Sequence, residues 1–81
     1  MYELRFSAPA LKALKKAPKD VVERIREKLN ELAKDPYGMP NVKKLTNHPG
    51  FRLRVNEWRI IYLIQEMIIL FMKIGKRKDI Y

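Results

Sequence analysis

The chain has 81 residues, of which 47% are hydrophobic and 33% charged, with a formal net charge of +9 and no cysteine. These values fit one globular domain spanning residues 1–81, built on a single core. They exclude a disulfide scaffold, a cysteine-based zinc site and a disordered or fibrous chain. The charge is uneven: residues 1–40 hold nine Lys/Arg against six Asp/Glu, and residues 41–81 nine against three. Clustered positive charge in the second half points first to nucleic acid as partner, ahead of an anionic membrane surface.

The chain opens on Tyr2, Leu4 and Phe6 alternating with Glu3, Arg5 and Ser7, the period of a strand with one buried face. The opening residues carry charges where a signal peptide carries an apolar core. The stretch Ile60 to Met72, interrupted by Gln65-Glu66, is too short to span a bilayer. The expected location is therefore the cytoplasm, with no membrane partner. Ser7 followed by Ala8-Pro9 starts a helix, serine serving as cap and proline sitting in the first turn. Ala10, Leu11, Leu14 and Ala17 share its apolar face, and Pro18 ends it. A second helix begins at Lys19-Asp20, carries Val21, Ile25, Leu29 and Leu32 as an amphipathic stripe, and stops at Asp35-Pro36. The two form an αα-hairpin.

Residues Tyr37 to Asn41 form a loop, and Val42-Lys43-Lys44-Leu45 fits either a short strand or a basic loop. Asn47-His48-Pro49-Gly50 is a turn, in which the lone histidine takes a loop role. Three β-rich segments follow, Phe51 to Val55, Trp58 to Ile64 and Met67 to Ile74, joined by Asn56-Glu57 and Gln65-Glu66. Neither pair contains the glycine favoured in tight hairpin turns, so a longer loop or a shifted register stays open. The order implies an α+β fold: an N-terminal strand and a two-helix hairpin packed on one face of a three- to four-stranded antiparallel sheet.

A two-residue loop at Asn56-Glu57 sets Val55 against Trp58, Arg54 against Arg59 and Phe51 against Tyr62. Phe51, Leu53, Val55, Trp58, Ile60, Tyr62 and Ile64 then share a face beneath the helices, and Arg52, Arg54 and Arg59 share the other. A turn at Gln65-Glu66 adds Ile69 and Phe71 to the core face and Ile68, Leu70 and Met72 to the arginine face. Opposed Arg54 and Arg59 repel one another, and a phosphate or carboxylate between their guanidiniums offsets the repulsion. Ile61, Leu63, Ile68 and Leu70 leave an apolar patch beside the cations, the mark of a docking site. An acidic, amphipathic peptide segment satisfies both halves of that face.

The run Gly50-Phe51-Arg52-Leu53-Arg54-Val55-Asn56-Glu57-Trp58-Arg59-Ile60-Ile61-Tyr62, followed by Ile74-Gly75-Lys76-Arg77-Lys78-Asp79-Ile80-Tyr81, resembles the RelE branch of the RelE/ParE toxins. The likeness extends over nearly the whole chain, including Lys43-Lys44-Leu45 before the turn. It implies the RelE-like microbial RNase fold and a type II toxin, restrained by a cognate antitoxin, that enters the ribosomal A site and cuts mRNA there without metal or cofactor. Carried over by position, Arg52 and Arg54 match two basic residues of the active-site strand, Arg59 the arginine of the next strand, Arg77 the arginine of the following motif and Tyr81 its tyrosine.

Cleavage by an RNA 2′-hydroxyl needs a base, positive charge on the developing phosphorane and an acid for the leaving oxygen. The resemblance casts Arg59 and Arg77 as holders of the scissile phosphate. Arginine does not give up its proton, so Tyr81 or Lys76 is the candidate base, and Tyr81 alternatively stacks on a nucleobase. Lys43, Lys44, Lys76 and Lys78 are the expected RNA-binding lysines, and Ile61, Leu63, Ile68 and Leu70 the expected antitoxin contacts. Two other readings stay open: a ParE-like inhibitor of DNA gyrase, and a domain that binds RNA or antitoxin without chemistry.

Overall fold

The computed structural model describes residues 1–76 and 78. Strand β1 (Glu3–Phe6) leads into helices α1 (Ala8–Lys16) and α2 (Lys19–Lys34), followed by β2 (Val42–Lys44), β3 (Phe51–Val55), β4 (Trp58–Gln65) and β5 (Ile68–Lys76). The five strands form one sheet in the order β1-β5-β4-β3-β2. Strands β2 to β5 make the expected antiparallel meander. The N-terminal strand extends it to five by pairing parallel to β5, Glu3 opposite Ile68 and Phe6 opposite Phe71.

Local chemistry explains the boundaries. The Ser7 hydroxyl accepts the Ala10 N–H at 3.2 Å, capping α1, and donates at 2.7 Å to the Met72 carbonyl of β5. Helix α1 ends at Ala17, which is extended ahead of Pro18. Helix α2 has no side-chain cap at Pro18 but carries Asp20 in its first turn, where the helix dipole favours negative charge. After α2, Asp35 Oδ1 accepts the N–H groups of Tyr37 and Gly38, turning the chain toward the sheet.

The core lies between the helices and one sheet face. Ala10, Ile25, Leu29 and Leu32 from the helices meet Leu53, Val55, Ile60, Tyr62, Ile69, Phe71 and Ile74 from the strands. An aromatic row crosses that face from Phe6 through Phe71 and Tyr62 to Phe51 and Tyr37, with successive ring centroids 4.9, 5.9, 5.5 and 5.9 Å apart. Burial pushes the Tyr62 hydroxyl above the usual tyrosine range, the neighbouring Tyr37 adding to the effect, and the hydroxyl donates to the Pro36 carbonyl at 3.2 Å.

The β3–β4 register is the expected one, Val55 opposite Trp58, Arg54 opposite Arg59 and Phe51 opposite Tyr62. Asn56 takes the positive φ (55°) that glycine otherwise supplies. The next connection departs from expectation. Gln65 ends β4 and pairs with Ile68, so the turn is Glu66-Met67 rather than Gln65-Glu66, with Glu66 at φ 56°. A second departure follows further along the same pair of strands. Tyr62 pairs with Phe71 but Ile61 pairs with Lys73, leaving Met72 as the bulged residue. The Ser7 hydroxyl bonds the carbonyl of that same residue.

Candidate nucleic-acid interface

Strand register sorts the candidate residues into rows on the sheet face away from the helices. One row runs Lys43, Arg52, Ile61, Lys73 across β2, β3, β4 and β5. The next runs Arg54, Arg59, Gly75. These rows hold five cations, Lys43, Arg52, Lys73, Arg54 and Arg59, and no carboxylate. Lys73 was missed by sequence reasoning. It enters the row because the bulge at Met72 resets the alternation of β5, and a bulge has no clear signature in a run of branched residues. Met72, expected beside the arginines, is the residue that the bulge takes out of the pairing.

Arg54 is exposed and Arg59 half-buried. The Arg59 guanidinium folds onto the β3–β4 turn, Nη1 donating to the carbonyls of Asn56 at 2.9 Å and Trp58 at 3.2 Å. Opposite it on β5 stands Gly75, which adds no side chain to the crowded row. The face is thus a shallow platform of forked and pointed cation donors, suited to phosphate oxygens.

The expected lysines divide. Lys43 lies opposite Arg52 on the cationic face. Lys44 lies opposite Phe51 and Lys76 opposite Trp58, so both have the alternation of the helix side while remaining exposed. Lys78 is exposed. Arg77 and Tyr81, the tail members of the expected site, lie outside the described residues. His48 sits in its turn as expected, Nδ1 accepting the Gly50 N–H at 2.9 Å.

The apolar candidates also divide. Leu63 pairs with Leu70, which is flanked by Arg5 of β1, and Ile68 pairs with Gln65 and Glu3. Ile61 stands apart, between Arg52 and Lys73 in the cationic row. All four are half-buried. Arg5 and Glu3 form an ion pair on the same strand, so this end of the face is nearly neutral, in contrast to the β3 end.

The family model for the ParE toxin of type II toxin-antitoxin systems matches residues 4–81. The chain belongs to the RelE/ParE toxin superfamily. The fold of this toxin superimposes on RelE of the Methanococcus jannaschii RelB–RelE complex with a TM-score of 0.80, 26% identity and coverage of 95% of this chain and 94% of that one. It is also similar to a chain of the intact E. coli RelBE complex, with a TM-score of 0.83, 26% identity and coverage of 94% and 96%. The Pyrococcus horikoshii RelE–RelB complex gives 0.82, 25% identity and 94% of each chain. No curated protein sequence matches the chain. The toxin is therefore RelE-like in fold, with five of its cations in two rows on the open face of the sheet.

Proposed function

We propose that this type II toxin is a ribosome-dependent endoribonuclease that cuts mRNA in the ribosomal A site, acting in the cytoplasm on the arginine face of its sheet. The observation that carries the reading is the concentration of Lys43, Arg52, Arg54, Arg59 and Lys73 in two adjacent rows free of carboxylates. Such a face favours a phosphodiester whose negative charge grows as the reaction proceeds. The RNA 2′-oxygen forms a bond to phosphorus, the bond to the 5′-oxygen breaks, and the products carry a cyclic phosphate and a 5′-hydroxyl. Arg52, Arg54 and Arg59 hold the non-bridging oxygens and stabilise the phosphorane. Arg77 and Tyr81 complete the set by position in the sequence, with Tyr81 taking the proton, since Lys76 has the alternation of the helix side. Among the described residues, no three His, Cys, Asp or Glu side chains come together to hold a metal, and the reading invokes none.

The partner that restrains the toxin is a cognate antitoxin. The similar RelE structures are complexes with RelB, and an acidic, amphipathic segment matches a face on which the Leu63–Leu70 pair adjoins the cationic rows. Among the described residues, no helix is long and apolar enough to cross a membrane.

The test is to incubate the toxin with programmed ribosomes and map the new mRNA 5′ ends. A-site cuts that disappear in Arg54→Ala and Arg59→Ala support the reading, and undiminished cutting by both variants overturns it. A second reading, inhibition of DNA gyrase, is favoured by the ParE name of the matching family model. It predicts blocked supercoiling with translation intact.

A further inference from the structure

Beyond Val42, where β2 begins, the last two residues of β3 pair with β4 on one side and have no β2 partner on the other, and the Arg54 N–H bonds the Asn41 carbonyl at 3.1 Å. A groove of about 390 Å³ opens at this corner between the sheet edge and α2. Arg24, Glu27 and Lys28 line it from the helix, and Asn41, Arg54 and Asn56 from the sheet. A second cavity of about 190 Å³, lined by Val21, Arg24, Asn56, Glu57 and Trp58, continues it along α2 past the β3–β4 turn.

Three cations and one carboxylate line the larger groove. Arg24 and Lys28 are one helical turn apart, about 6 Å along the axis. Lys28 reaches Glu31 at 3.5 Å on the exposed side of α2, and among the described residues the side chains of Arg24 and Arg54 enter no ion pair. Gathering like charges around a shared groove is unfavourable in isolation and becomes favourable with a polyanion lying along it. Asn41 and Asn56 add neutral hydrogen-bonding groups from the sheet side. Arg54 belongs both to this groove and to the arginine face, so the cations of the two meet at the sheet edge.

We infer that the α2–β3 groove is a second RNA-backbone site, in which Arg24 and Lys28 hold phosphates beyond those lying over the sheet. The inference rests on the RNA reading of the arginine face and adds to it a track that binds without cutting. The ligand chemistry is the sugar-phosphate backbone, supplied either by the single strand leaving the sheet or by a folded ribosomal duplex. Recognition is independent of base sequence, because the lining offers charge and amide groups and no base-sized aromatic slot other than the half-buried Trp58 in the adjoining cavity.

The test measures binding of the intact toxin, without ribosomes, to a single-stranded RNA and to an RNA hairpin of equal length across a salt series. Each lost phosphate contact with a single strand lowers the log–log salt slope by about 0.7, so Arg24→Gln/Lys28→Gln is expected to lower it by about 1.4. The control is Lys15→Gln/Lys16→Gln, which removes the same charge from the last turn of α1. Glu27→Gln is expected to tighten binding, a gain that no folding defect produces. Loss confined to the single strand assigns the groove to the transcript, and loss confined to the hairpin assigns it to folded ribosomal RNA. A double variant indistinguishable from the α1 control, with no gain from Glu27→Gln, overturns the inference. Because no cleavage is read, a negative result here is separate from failure of the nuclease reading.

Discussion

Arg54 and Arg59 stand directly opposite one another across β3 and β4, yet the Arg59 guanidinium is drawn back onto the carbonyls of Asn56 and Trp58. The turn carbonyls thereby supply some of the negative potential that the opposed arginine lacks. Replacing Arg59 by alanine removes both the like-charge repulsion and these two hydrogen bonds, effects of similar size and opposite sign. The expected change in urea-unfolding stability is within about 1 kcal/mol. Ribosomal mRNA cleavage should fall by about two orders of magnitude or more. A large loss of stability alongside the activity would mean that Arg59 is chiefly structural.

Ser7 joins two tasks in one hydroxyl, accepting from Ala10 and donating to the bulged Met72. Ser7→Ala should cost about 2 kcal/mol, from the lost cap and the orphaned carbonyl together. Ser7→Asp should restore only part of this, since a carboxylate caps α1 but cannot donate to Met72. Denaturation midpoints of the two variants check the partition; equal values would remove the bulge from the account.

Gly50 is required by space rather than by backbone angle. A Cβ there meets the Tyr62 carbonyl oxygen at 2.9 Å and the His48 ring at 2.8 Å. The imidazole can swing away, but the carbonyl belongs to the centre of the sheet. Gly50→Ala is expected to destabilise by about 1–3 kcal/mol. At Gly38 the obstruction is the Asp35 carboxylate alone, a side chain that can rotate, so Gly38→Ala should cost less. Comparing the two melting temperatures tests the distinction.

Tyr62 predicts an alkaline limit. Its hydroxyl resists ionisation in the folded protein because it is buried, whereas in the unfolded chain it ionises near 10. Above that pH the unfolded state releases a proton that the folded state retains, so stability falls as pH rises from about 10 toward the higher folded value. At lower pH the group contributes no such dependence. Tyr62→Phe should flatten the alkaline decline while lowering neutral stability by about 1–2 kcal/mol, because the Pro36 carbonyl loses its donor. Unfolding curves at neutral and alkaline pH would contradict this if the variant kept the full alkaline slope.

Much of this was legible in the residues because it is local. Ser7 announced α1, the stripe Val21, Ile25, Leu29 and Leu32 announced α2, and the alternation around Asn56-Glu57 set Arg54 against Arg59. What escaped depended on partners distant in the chain. Alternation marked β1 as a strand without saying that it lies parallel to β5. The second hairpin was displaced by one residue because Glu66, rather than a glycine, adopts the positive φ. A bulge at Met72 then brought Lys73 to the cationic face and removed Met72 from it. Arg24 and Lys28 carry no signal of their own in the sequence of α2, and only the juxtaposition of α2 with the open end of β3 gives them a shared groove with Arg54.

The pairing of the first strand with the last also governs when the molecule becomes whole. Ser7 and Met72, bonded in the finished fold, are 65 residues apart, so β1 finds its neighbour only when a loop of that length closes. Closure of so long a loop comes late in folding. A nascent or prematurely terminated chain ending before Ile68 lacks the strand that joins β1 to β4. Such a chain carries Arg52, Arg54 and Arg59 on β3 and β4 without the strand that ties β1 to them.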